Sequence, residues 1–275
     1  MNRNKFRMLN EMGLGPLWLL RQPAGSHAVA TSTQAEIMSS SHSPAAAAVA
    51  EMPEFAAMVS AETIPHMTPQ PQPADTVAHA PVAEMNWPAL QESVAHCRAC
   101  GLCEGRNKTV FGVGDPRATW LFVGEGPGYN ENIKGEPFVG AAGQLLDNML
   151  TALGLRRGER AYIANVVKCR PTDPAGKDRP PTAEEIQACL PYLKRQIALI
   201  QPEVIVALGK TAAIALLQAD PETPVAQLRG RVHSVGRVPM IVTYHPAYLL
   251  RKPLDKSKAW TDLCLAQSTL HVAAS

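Results

Sequence analysis

The chain has 275 residues, 46% of them hydrophobic and 18% charged, with 26 Lys/Arg against 24 Asp/Glu for a formal net charge of +2. No apolar run approaches the roughly 20 residues a membrane-spanning helix requires, and a charge so nearly balanced is compatible with phosphate contacts without requiring them. Six cysteines in a chain read as cytoplasmic point to metal or catalysis rather than to disulfides.

In chain order, residues 1–25 read "MNRNKFRMLNEMGLGPLWLLRQPAG". The apolar run is short, broken by Gly and Pro, and preceded by Glu11, so a secretory signal is not expected. Residues 26–86 are dominated by Pro, Ala and Ser with no repeated apolar period. They cannot recover their ordering entropy by burial and are predicted to form a disordered linker. Residues 1–90 carry four Lys/Arg and seven Asp/Glu, whereas 91–275 carry twenty-two and seventeen. The predicted domain, 87–275, is therefore mildly basic and long enough to bury one core.

"HCRACGLCEG" (96–105) opens that domain with cysteines at 97, 100 and 103, so the local spacing permits a C-x-x-C pair at Cys97/Cys100 or at Cys100/Cys103. Four apolar segments flanked by breakers then read as buried strands: 119–124, 161–167, 203–209 and 239–244. Helical patterns alternate with them. "AGQLLDNMLTALGL" sets Leu145, Leu146, Met149, Leu150 and Leu153 on one face. "TAEEIQACLPYLKRQIALI" opens on Thr182 with Glu185 three residues later, a capping box. "GKTAAIALLQ" follows the third strand. Alternation of this kind predicts an α/β fold with a parallel, four-stranded central sheet and helices on both faces.

In such sheets ligands bind at the carboxyl ends of the strands. Those ends lead into "GEGPGYNENIKGEPFVG", "NVVKCRP", "GK" and "HPAYLLR", which gathers Glu, Asn, Cys and His at one edge. Cys169 follows the second strand and Cys189 lies in the next helix. With Cys97 and Cys100 they make a four-sulfur set whose ligand type suits zinc and an iron–sulfur cluster equally. Buried thiols without a metal are the plainer reading of Cys169 and Cys189.

"VGEGPGYNENIKGEPFVGAAGQLLD", "NVVKCRP" and "YHPAYLLR", with "CRAC" upstream and Cys189 downstream, together resemble the family 4 uracil-DNA glycosylases over about residues 95–270. The resemblance implies the three-layer αβα glycosylase fold and a [4Fe–4S] cluster held by Cys97, Cys100, Cys169 and Cys189. It implies uracil-containing DNA as substrate, with Phe138 stacking on the flipped base and Asn165 matching uracil N3–H and O4. His245 would donate to uracil O2, and Glu131 would orient water, with Glu125 as the alternative. Exclusion of the thymine methyl group is a second role open to Glu131. Gly126 and Gly128 would let backbone N–H groups approach the base or phosphate. Leu249 or Leu250 would be a wedge and Arg251 a phosphate contact, unless the leucines are core. Where many members carry Asp, this chain has Asn132.

Some relatives trap the sugar covalently through a histidine in the loop after the second motif, and carry His where this chain has Cys169. Residues 169–185 contain no histidine, so turnover is expected over trapping. Finally, "RMLNEMGLGPLWLLRQP" resembles the N-terminal peptide of the clamp-loader psi subunit. That likeness implies docking to the chi subunit, anchored by Trp18 and Leu19, in a bacterial-type, nucleoid-associated setting.

Overall fold

The computed structural model describes residues 81–273, so the expectations for residues 1–25 and for the linker through residue 80 lie outside the described residues. Structure starts before the predicted boundary at 87. Met85 is buried, and Arg195 Nε donates to its carbonyl at 2.6 Å. Helix α1 (Trp87–His96) follows, its first turn closed by the Asn86 side chain accepting from Ala89 N and by Pro88.

The sheet contains β1 (Val113–Gly114), β2 (Trp120–Gly124), β3 (Arg156–Arg157), β4 (Arg160–Asn165), β5 (Val204–Leu208), β6 (Val232–Val235) and β7 (Val238–Thr243). Its order is β1-β4-β2-β5-β7-β6, with β3 also paired to β4. The four predicted strands form a parallel centre, β4-β2-β5-β7. Three short strands widen it: β1 and β6 are antiparallel edges and β3 is a two-residue addition. Their brevity and partial exposure leave no apolar period to read. The second strand also ends earlier than predicted, so Val166 and Val167 already belong to the loop beyond Asn165.

Successive residues of each central strand point to opposite faces. Leu121, Val123, Ile205, Ala207, Met240 and Val242 pack with α1, α4 (Ala183–Ile200) and α5 (Lys210–Leu217). Trp120, Phe122, Ile163, Val206 and Ile241 pack on the other side, with α3 (Ala141–Ala152), α7 (Pro246–Arg251) and α8 (Lys256–Ala273). This is the expected three-layer arrangement, completed by two short helices, α2 (Tyr129–Lys134) and α6 (Val225–Leu228). The Thr182–Glu185 capping box is present at the start of α4. Among the described residues no helix is long and apolar enough to cross a membrane.

Candidate active site

Because β2, β4, β5 and β7 run in the same direction, their carboxyl ends deliver Glu125, Asn165, Gly209 and His245 to one edge. A cleft of about 380 Å³ opens there, lined by Glu125, Gly126, Gly128, Glu131, Phe138, Asn165 and His245 among others. Glu131 and Phe138, neighbours in the chain, thus share one cavity with the distant Asn165 and His245.

Phe138 is buried and takes the left-handed conformation, φ 55°. For a bulky side chain this conformation is strained and needs outside support. Arg157 supplies it, donating to the carbonyls of Pro137 at 2.7 Å and Phe138 at 2.8 Å while pairing with Asp147 at 3.0 Å. No motif announced Arg157. Gly124 completes the platform: a Cβ there would lie 2.5 Å from Asn165 Oδ1 and 2.6 Å from Phe138 Cζ, so only glycine lets these two groups meet behind the cleft.

The Asn165 carboxamide is buried, and its Oδ1 has no hydrogen-bond partner within the protein. A buried acceptor left open is costly unless a ligand or water meets it. His245 caps α7, its Nδ1 accepting from Ala247 N at 3.2 Å. Burial, aided by the charge of Arg251, lowers the His245 pKa to about 4. The ring is therefore neutral near pH 7, and with Nδ1 accepting, its proton resides on Nε2. Its ring stacks at 5.5 Å on Phe138. Gly209, at φ 95°, turns β5 into α5 directly beside His245 Cβ.

Glu131 lies in α2 and uses Oε1 to accept from Val139 N at 3.0 Å and Gly140 N at 3.4 Å, at the start of α3. Gly128 makes room for its other oxygen, since a Cβ there would come within 2.9 Å of Oε2. Glu125 accepts from Thr211 Oγ1 through its own Oε2. Asn132 points elsewhere: it is buried and exchanges hydrogen bonds with Asn107, which explains how an amide serves at that position. Two residues not foreseen, Asp178 and Arg179, line the rim. They belong to a small turn closed by the Thr172–Asp178 bridge, braced by Arg170, which pairs with Asp178 at 2.5 Å and lies over the Tyr129 ring.

Not every expected residue joins the cleft. Leu249 is fully buried in the core with Leu146 and Met149, because the first turn of α7 packs on α3. The wedge reading therefore passes to Leu250, which is 44% exposed, while Arg251 is exposed on the same helix.

A second cavity is lined by Cys97, Cys100, Cys103, Cys169 and Cys189 with Arg106, Lys168 and Tyr192. Cys103 thus joins the four cysteines chosen from the sequence. Among the described residues no three His, Cys, Asp or Glu side chains are placed so that they could hold a metal ion. N–H groups already point at the sulfurs: Lys168 N donates to Cys189 Sγ at 3.3 Å and Arg106 to Cys169 Sγ at 3.4 Å. Burial raises the thiol pKa of Cys189 to about 11 and also raises Cys169 and Cys100, while it lowers Lys168 to about 8.

Residues 111–267 match the model of the uracil DNA glycosylase superfamily. The chain is 46% identical over 179 residues to the type-4 uracil-DNA glycosylase of Archaeoglobus fulgidus, covering 63% of this chain and 87% of that one. It is 40% identical to that of Pyrobaculum aerophilum, covering 66% and 93%, and 44% identical to that of Thermotoga maritima, covering 59% and 82%.

Proposed function

The chain belongs to the uracil DNA glycosylase superfamily and acts as a uracil-DNA glycosylase in DNA repair; on that premise we propose how its cleft removes the base. A glycosidic carbon cannot be reached inside a base stack, so the nucleotide is extruded at a cost of a few kcal/mol. Uracil stacks on Phe138. Asn165 Oδ1 accepts from N3–H and its amide donates to O4. Cytosine presents the opposite pattern and would leave both atoms unpaired. The observation that carries this reading is the buried, open Asn165 Oδ1 beside Phe138 and His245 in one cleft.

As the N-glycosidic bond breaks, its electron pair passes into the ring and negative charge gathers on O2. His245 donates from Nε2 to that oxygen, and a neutral donor does so without holding a positive charge against Arg251. Water then attacks C1′. Glu131, with one oxygen fixed at the start of α3, orients that water through the other, accepts the proton the water gives up as the C1′–O bond forms, and faces the cationic sugar; that proton then balances the uracil anion that leaves. Glu125 is the alternative. Gly126 and Gly128 admit the substrate's backbone, Leu250 fills the gap left by the base, and Arg251 meets phosphate.

The cysteine cavity suits a [4Fe–4S] cluster held by Cys97, Cys100, Cys169 and Cys189. Four sulfur donors suit zinc and a cluster equally by type, with N–H groups approaching two of them, and it is the resemblance to the family 4 uracil-DNA glycosylases that favours the cluster. When bound, the cluster supplies four iron–thiolate bonds and with them a structural tie. The site of action is the cytoplasm. The docking of residues 1–25 on the clamp-loader chi subunit rests on their sequence alone, and a pull-down unaffected by deleting them would end it.

Incubation with uracil-containing single-stranded DNA tests the whole. The expected products are free uracil and an alkali-labile abasic strand. An SDS-resistant adduct, or no release from uracil-containing DNA, would overturn hydrolysis.

A further inference from the structure

Between the cleft and the cysteine cavity lies a lysine that neither the catalytic nor the ligand reading uses. Lys168 is 1% exposed, and among the described residues no carboxylate forms an ion pair with it. Its ammonium donates to the backbone carbonyl of Asn165 at 2.8 Å and to Gln196 Oε1 at 2.7 Å. Gln196, itself fully buried in α4, passes its amide on to the Phe111 carbonyl at 2.9 Å. The backbone of the same lysine donates to Cys189 Sγ at 3.3 Å, and its carbonyl accepts from Val110 at 2.8 Å.

A buried ammonium with no carboxylate is expensive, so its place asks for a counter-charge and a task. The cysteines would provide that charge once they hold a cluster as thiolates, and Cys189 Sγ already lies against the lysine backbone. The carbonyl it grips supplies the task. Asn165 is the last residue of β4, paired with Gly124 on one side. Beyond it the chain leaves the sheet, where Val166 N and Val167 N donate to the Gly124 and Glu125 carbonyls at 3.0 and 3.1 Å, and the ammonium adds the side-chain hold on the Asn165 carbonyl.

We propose that Lys168 is a positioning residue for uracil selection: its ammonium aims Asn165, and its backbone ties that aim to Cys189 and so to the state of the cysteine cavity. The inference rests on the reading of Asn165 as the uracil-selecting group and of the cavity as the cluster site. Lys168 touches no substrate; it acts through Asn165.

The test uses the full chain purified anaerobically, with three readouts: inhibition by free uracil, affinity for an abasic single strand, and iron per chain. Lys168→Met is expected to weaken uracil inhibition about 10- to 100-fold, the range a hydrogen bond to a charged group lends, and to release iron faster to a chelator. Affinity for the abasic strand stays within about twofold of the parent, since phosphate contacts do not pass through this lysine. Should Lys168→Met fail to accumulate, Lys168→Arg carries the test. It keeps the charge beside the thiolates yet cannot set one ammonium between two carbonyls, so iron stays and uracil inhibition still weakens. Asn165→Ala separates the layers. If it leaves uracil inhibition unchanged, the reading of Asn165 fails and takes this inference with it. If it weakens inhibition while folded Lys168→Met and Lys168→Arg do not, the inference alone is overturned. In the double variant with Asn165→Ala, Lys168→Met should add little further loss of uracil affinity.

Discussion

At the scale of single residues, the chemistry turns on where protons and lone pairs are left over. The amide of Ala247 occupies Nδ1 of His245, so the remaining ring nitrogen must be the donor. Asn165 Oδ1 is the complementary case, a buried acceptor that the protein itself does not satisfy. His245→Ala is expected to lower kcat about 10²- to 10³-fold with little change in KM, as when an oxyanion donor is removed; single-turnover kinetics on a uracil oligonucleotide would check it. The acid limb has a defined place too. The required form is the neutral ring, and burial sets its pKa at about 4. A profile of kcat/KM against pH should therefore cross the ordinary histidine range near 6.5 without an inflection and fall only as pH approaches 4. A break near 6.5 that disappears in His245→Gln would contradict a neutral donor.

At the scale of elements, the platform is built by contacts between a turn and a helix. Gly143 sits in the first turns of α3 directly against the Phe138 backbone; a Cβ on it would fall 1.7 Å from the Phe138 carbonyl oxygen. Backbone cannot yield as a flexible side chain does. Gly143→Ala should destabilise the fold by about 1–3 kcal/mol, as overpacking does, and push the Phe138 turn off its place. Thermal unfolding together with uracil inhibition would read both effects, and an unchanged Tm with unchanged inhibition would show that α3 adapts. Nothing in "AGQLLDNML" exposes this contact. The same stretch does announce a helix, because Leu145, Leu146, Met149 and Leu150 recur on one face and all are buried in the core. Glu131 offers a similar lesson: its motif marked a catalytic carboxylate, while the structure adds that one of its oxygens caps α3.

For the whole molecule, the cysteine cavity draws on α1, the loop after it, the exit from β4 and the middle of α4. A cluster there closes long loops, so its binding energy is also folding energy. Removing it by oxidation and chelation should lower Tm by about 10 °C, the size expected when several kcal/mol leaves a domain of this length. Limited proteolysis should then gain a new cut between residues 97 and 110, where few elements other than the cysteines hold the chain, beyond any cut in the predicted linker. A Tm unchanged after complete loss of iron would remove the structural role. The mild excess of positive charge in residues 91–275 belongs to this scale as well, since it attracts DNA without selecting a base.

What the sequence determined alone were those features carried by local order along the chain. Apolar periodicity marked the central strands and the long helices, parallel strands required one functional edge, and the family resemblance carried by several separated motifs nominated Phe138, Asn165, His245 and the cysteines. Tertiary structure decided whatever depends on which groups face each other across the chain. It buried Leu249 and exposed Leu250, placed Arg157 behind Phe138, added Asp178 to the rim, and set Lys168 between two sites. The physical reason is that periodicity encodes which side of an element is apolar. A buried polar contact is instead fixed by two distant backbones meeting at a few ångströms, a distance that no single segment contains.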